Sequence, residues 1–186
     1  MTWTQRTILA VAAGLGLVVS LGLAPTVAVA QTCSSPIPNG SCTDNTTTTM
    51  TAPAVLQLAL TASATALTAP ATADYDAGFV ADNGPTATVK CNRSWTLRIA
   101  AGAALWTATN TVPGVTERAN KPAADLQWSI AAGGPFAGLT VAGVTAKTGG
   151  ATASTVTPIY FHTLYSWTLD TPGAYWIVAV FTLTAP

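Results

Sequence analysis

The sequence predicts an all-β fold: a Greek-key β-sandwich of immunoglobulin-like type with seven or eight strands, a jelly roll being the alternative. Three observations predict it. Several segments alternate apolar and polar side chains with the period of two that belongs to strands, and Gly, Pro and Asn-Gly turn signals separate them at regular intervals. Charged residues are only 8% of the chain, against about 25% in globular proteins generally, and the polar surface is left to Thr, Ser, Asn and Gln, a composition poor in the strong helix formers Glu, Lys and Arg. The most pronounced strand is the last, T-P-G-A-Y-W-I-V-A-V-F-T-L-T-A-P from Thr171 to Pro186. Tyr175, Ile177, Ala179, Phe181 and Leu183 fall on one side and Trp176, Val178 and Val180 on the other, so the strand is apolar on both faces and is expected to be an interior rib, covered by earlier parts of the chain.

The chain begins as an address. A single Arg within Met1 to Arg6, the apolar run Ile8 to Leu23 and the small-x-small site Ala28-Val29-Ala30 form the pattern of a secretory signal peptide over residues 1–30. The length of the run also fits a retained membrane anchor, but Pro25 and the Ala-x-Ala site favour cleavage. A lipoprotein is disfavoured, because Thr32 precedes Cys33 where a small residue is required. An exported protein, secreted or held at the cell surface, is therefore expected, with no membrane association after cleavage.

Residues 31–186 are one domain's worth of chain. They carry six basic and seven acidic residues, which leaves no basic face for nucleic acid or anionic lipid. Of the three cysteines, Cys33 and Cys42 flank the turn-forming S-S-P-I-P-N-G-S and are expected to form a disulfide in an oxidising compartment. Cys91 is then left over at an inward-facing strand position, as a buried inert thiol. With one His and no second close Cys pair, no metal or other cofactor is expected.

Residues 31–51, with the small Cys loop and the Thr46–Thr49 run, show no apolar periodicity and read as an arm ahead of a β-sandwich domain at 52–186. Ala54 to Thr68 is Ala-rich, yet Leu56, Leu58 and Leu60 alternate with Val55, Gln57 and Ala59, which predicts one or two strands. Ala69 to Pro85 reads as loop; Asp74, Asp76 and Asp82 within it would suit calcium, but they follow no ligand spacing and turn duty is the preferred reading. From Thr86 to Ala100 two alternating runs, Ala87-Val89-Cys91 and Trp95-Leu97-Ile99, are interrupted at Asn92-Arg93-Ser94. The interruption is either a bulge or a bend where the chain crosses between sheets. Ala101 to Pro122 holds a short strand and a long connection; Ala123 to Ile130 is a half-buried strand; Phe136 to Val144 is a weaker strand or loop, and Lys147 to Gly150 a turn. Thr155 to Leu169 is expected to form a terminal antiparallel hairpin with Tyr175 to Thr184.

Catalytic chemistry is poorly provided for, and no enzyme is expected. The only His, His162, sits inside a strand pattern without a G-x-S-x-G elbow to partner it. Glu117, Asp125 and Asp170 are the candidate acids for glycoside hydrolysis, and each has an ordinary reading as a loop charge, an outward strand position and a turn residue. Tryptophan is abundant. Trp95 and Trp128 occupy core parity, whereas Trp106 and Trp176 are the candidates for exposed rings that stack on a glycan.

Three stretches carry a family resemblance: V-K-C-N-R-S-W-T-L-R-I (Val89 to Ile99), K-P-A-A-D-L-Q-W-S (Lys121 to Ser129) and the closing P-G-A-Y-W-I-V-A-V-F-T-L-T. From about Ala54 onward the chain resembles bacterial secreted β-sandwich proteins of the spore-coat-protein-U and fimbrial-subunit kind, and also the WxL surface domains, whose signature is matched in letters by Trp95-Thr96-Leu97 and Trp167-Thr168-Leu169. The resemblance implies a non-catalytic structural or adhesion protein of the cell surface. Its expected partners are further copies of itself or another surface protein, with strand donation by the arm Asp44 to Met50 as the mode; glycan binding through Trp106 and Trp176 is the alternative.

Overall fold

The computed structural model describes residues 39–186. The expected leader lies outside the described residues, as does Cys33 and with it the Cys33–Cys42 bridge. The chain divides into two units, Met1–Met50 and Thr51–Pro186. In the first, residues 39–50 are exposed and contain neither strand nor helix.

The second unit is predominantly β. In chain order its elements are β1 (Leu56–Leu60), α1 (Thr72–Ala77), β2 (Phe79–Cys91), β3 (Trp95–Ala101), β4 (Thr107–Thr109), a 3₁₀ turn (Ala123–Asp125), β5 (Leu126–Ser129), β6 (Ala137–Gly138), β7 (Val144–Gly149), β8 (Thr152–Leu164), β9 (Ala174–Trp176) and β10 (Ala179–Thr184). All pairings are antiparallel. One sheet has the order β1-β2-β8-β5-β6, a second the order β10-β3-β7, and β4 and β9 form a small ribbon.

The strand period builds the core. Ala87, Val89 and Cys91 of β2 meet Trp95 and Leu97 of β3 in one buried cluster. Ile99 and Ala101 of β3 meet Leu126, Trp128, Ile159 and Phe161 of the other sheet in a second. The two main sheets therefore pack face to face, each buried large side chain contributing about 2 kcal/mol. Cys91 is a free thiol within this core, 4% exposed.

The break at Asn92-Arg93-Ser94 is a crossing between sheets, since β2 and β3 belong to different ones. Asn92 also fixes the entry of β1: its carboxamide accepts the Val55 N–H at 2.9 Å and donates to the Pro53 carbonyl at 2.8 Å.

Four sequence expectations are corrected. The stretch Ala69 to Pro85 is not all loop. It holds α1, whose Asp74 carboxylate accepts the Ala71 N–H at 2.7 Å and which ends at Gly78 in the left-handed region, followed by the first half of β2. That strand runs through Gly84-Pro85 because both fall at a register shift between Asn83 and Thr86, where Pro has no ladder bond to lose. Residues 144–149, read partly as turn, form β7. The terminal hairpin does not exist: β8 pairs with β2 and β5 in one sheet, and β10 pairs with β3 in the other. A turn redirects the chain between them, with Asp170 N–H donating to Ser166 O at 3.0 Å and the Asp170 carboxylate accepting Ser166 N–H at 2.8 Å.

The fourth correction concerns the last strand. Among the described residues β10 is an edge strand, paired on one side only. On its outer side Val180 is 40% exposed, and Val178 just before it is 50% exposed. Its inner row, Ala179, Phe181 and Leu183, is not fully covered either, nor are Tyr175 of β9, Ile177 and Ala185 in line with it: all are half-buried, whereas Trp95, Leu97, Ile99 and Ala101 on adjacent β3 are at most 4% exposed. The alternation sets the facing of the strand correctly, but strand order depends on partners far away in sequence.

Candidate functional site

The uncovered inner row of β10 lines a groove of about 800 Å³. Its floor is core: Trp106, Leu126, Phe161 and Thr163. One wall is the final stretch from Tyr175 through Ile177 and Ala179 to Phe181, and the facing wall is the segment 62–70 that follows β1. Both flanking strands, β1 and β10, are sheet edges. At the other end of the seam, Leu58 of β1 and Leu183 of β10 close against the Ala87–Leu97 core cluster. The groove is thus the unclosed part of a seam between the first and last long-range strands of the unit, mostly apolar in its lining and bordered by β10 backbone that lacks a ladder partner among the described residues.

A buried charge cluster ends the groove. Lys121 and Asp170, both lining it, form an ion pair at 2.8 Å with side chains 2% and 4% exposed. Lys121 Nζ also donates to Leu164 O at 2.7 Å and lies 3.3 Å from Asp125 Oδ2. Arg118 donates to the same two carboxylates, at 3.1 Å to Asp125 and 3.0 Å to Asp170, and Arg118 N–H donates to the Tyr175 hydroxyl at 2.9 Å. Two cations thus face two carboxylates. Burial pushes the Asp170 carboxyl up, but the Lys121 hydrogen bond and charge, the Arg118 hydrogen bond and the Ser166 N–H outweigh it and hold it below the ordinary carboxylate range. Tyr165, under the Lys121 ammonium at 4.9 Å, is pushed up to about 12, chiefly by burial.

This arrangement fixes the Ser166–Asp170 turn and the 118–125 connection at the groove's end. It locks the turn in place, and a carboxylate held ionised between two cations is a poor general acid. Of the three acids considered for glycoside hydrolysis, Asp125 and Asp170 are brought together by these shared cations, and Glu117 enters none of the described ion pairs.

The remaining candidates fall elsewhere. His162 stacks between Phe136 and Phe79, with ring centroids 3.5 and 4.4 Å away, and desolvation lowers its pKa. Asp74, Asp76 and Asp82 are spent locally: on the start of α1, on Trp167 Nε1 at 3.1 Å, and on Thr68. Trp106, expected to be exposed, is 5% exposed and part of the core. The cause is the Leu105–Pro122 bridge, flanked by the Trp106 N–H bond to Lys121 O, which turns the ring inward. Trp176 is 57% exposed. Trp167, not singled out from the sequence as a stacking residue, is 60% exposed and stacked on Tyr75 at 4.6 Å.

No protein-family model matches the chain, and no match is found among curated proteins.

Proposed function

We propose that this protein is a non-catalytic extracytoplasmic structural subunit, a Greek-key sandwich of immunoglobulin-like type that assembles by accepting a β-strand along the free edge of β10. The observation that carries the reading is the inner row Ile177, Ala179 and Phe181, half-buried over an open groove. An added strand would satisfy the free backbone of β10 and cover that row, the β-augmentation mode of recognition. This is the site at which subunits of the fimbrial kind, which the sequence resembles, would receive a neighbour's strand.

The donor is the arm of a second copy. Residues 44–51 read D-N-T-T-T-T-M-T: β-branched, almost uncharged and free of Pro and Gly, with Thr46, Thr48 and Met50 on one side of an extended chain. Met50 is 89% exposed, an apolar side chain without cover. At about 3.3 Å per residue, eight residues span the six of β10. Sedimentation of residues 31–186 should show concentration-dependent assembly, and residues 52–186 should stay monomeric. Assembly by both, or by neither, would count against the arm as donor.

A second reading, glycan binding, is favoured by Trp167, whose exposed ring is held by the Tyr75 stack and the Asp76 hydrogen bond, and by exposed Trp176. Retention on immobilised polysaccharide that is lost in Trp167→Ala and Trp176→Ala would support it. No retention of the unsubstituted protein would remove it.

A further inference from the structure

Strand addition at β10 meets an obstacle built into the chain itself. The segment Ala62 to Leu67 already lines the groove along the wall facing β10. It is held by an anchor at each end. Thr61 N–H donates to Thr86 O at 3.1 Å while Thr61 Oγ1 accepts Thr86 N–H at 2.9 Å. Thr68 gives both its N–H and its hydroxyl to the Asp82 carboxylate, the hydroxyl at 2.6 Å. Between these anchors residues 62–67 belong to no strand or helix and make no backbone–backbone hydrogen bond among the described residues. One large side chain seats the segment: Leu67 is half-buried and packs on the same core cluster as Ile177, Ala179 and Phe181. The other five are Ala, Ser and Thr, mostly exposed. A segment with so few bonds and so little apolar contact belongs to the least stable part of a fold.

We propose that residues 62–67 form a plug. Leu67 holds the place in the groove that an apolar residue of the entering strand takes, so the strand docks as the plug lifts, and the Thr68–Asp82 anchor sets how readily it lifts. The inference rests on the strand-addition reading and adds regulation to it: the affinity seen for a donor is its intrinsic affinity reduced by the fraction of molecules with the plug raised. The Thr61–Thr86 bonds make lifting a local event, since Thr61 stays in place while residues 62–68, released from Asp82, move.

The test follows assembly of residues 31–186 by light scattering, for the unsubstituted chain and for Asp82→Asn and Leu67→Ala, with a fluorophore on Ser63→Cys reporting anisotropy in parallel. Asp82→Asn weakens an anchor outside the core and so keeps the test valid should Leu67→Ala fold poorly. Each substitution is expected to speed assembly about tenfold, the usual weight of a charge-assisted hydrogen bond or a part-buried leucine, and anisotropy at residue 63 should fall as assembly proceeds. Unchanged rates and unchanged anisotropy in chains that do assemble would overturn the plug and leave strand addition standing. Absence of assembly in every chain at every concentration would overturn both.

Discussion

Lys121 Nζ sits 2.8 Å from Asp170 Oδ1 in a place where both side chains are all but sealed from water. Their burial makes the pair asymmetric to mutation. Asp170→Ala leaves Lys121 facing only Asp125 and a carbonyl, and should cost about 3–5 kcal/mol of stability. Lys121→Met keeps the volume and leaves Asp170 with Arg118 and the Ser166 N–H, so it should cost less. Urea unfolding of the two variants decides this; a greater loss for Lys121→Met would contradict the described partition.

The same carboxylate sets an acid limit. Its folded-state pKa lies below the ordinary value of 3.8, so its contribution is complete above that value and is lost as pH falls through it toward the folded pKa. Stability measured from pH 7 downward should therefore fall in the region below about pH 4, and Asp170→Asn, less stable at neutrality, should flatten that fall. An equal slope in both proteins would show that other groups dominate.

Gly149 lies directly opposite Trp95 in the β3–β7 ladder, and a Cβ there would stand 2.6 Å from the indole Cζ2. Because Trp95 is 2% exposed and cannot swing aside, Gly149→Ala should cost about 1–3 kcal/mol. Its neighbour Gly150 has open space at the same position, and Gly150→Ala should stay within about 0.5 kcal/mol. Thermal unfolding of the pair gives the comparison.

The tryptophans of the described residues divide into buried Trp95, Trp106 and Trp128 and exposed Trp167 and Trp176. For residues 31–186, acrylamide should quench one fluorescence component strongly, and Trp167→Phe with Trp176→Phe should remove it. Loss of that component in Trp106→Phe instead would contradict the burial of Trp106.

Much of this architecture is written in residue alternation. The facing of Trp95, Leu97 and Ile99, and of Tyr175 through Leu183, follows from the period of two, and the Asn92 interruption marks a sheet crossing. What escapes is long-range. Whether β10 lies inside or at an edge depends on where β1 and the segment after it run, and the supposed hairpin with β8 fails because the Ser166–Asp170 turn is held by Lys121 and Arg118, some fifty residues earlier. The lock itself had a local trace in the Lys121–Asp125 spacing of four, but its decisive partner, Asp170, is distant. The groove could not be read at all, since it is the space left between two edges and no residue pattern encodes it.

Assembly by strand addition requires β10 to be an open edge. Hydrogen exchange over residues 179–184, in dilute protein and after assembly of residues 31–186, tests this most directly. The alternate amides that face away from β3 should exchange rapidly in dilute protein and become protected on assembly. Protection of those amides already in the dilute monomer, or rapid exchange that assembly leaves unchanged, would contradict it.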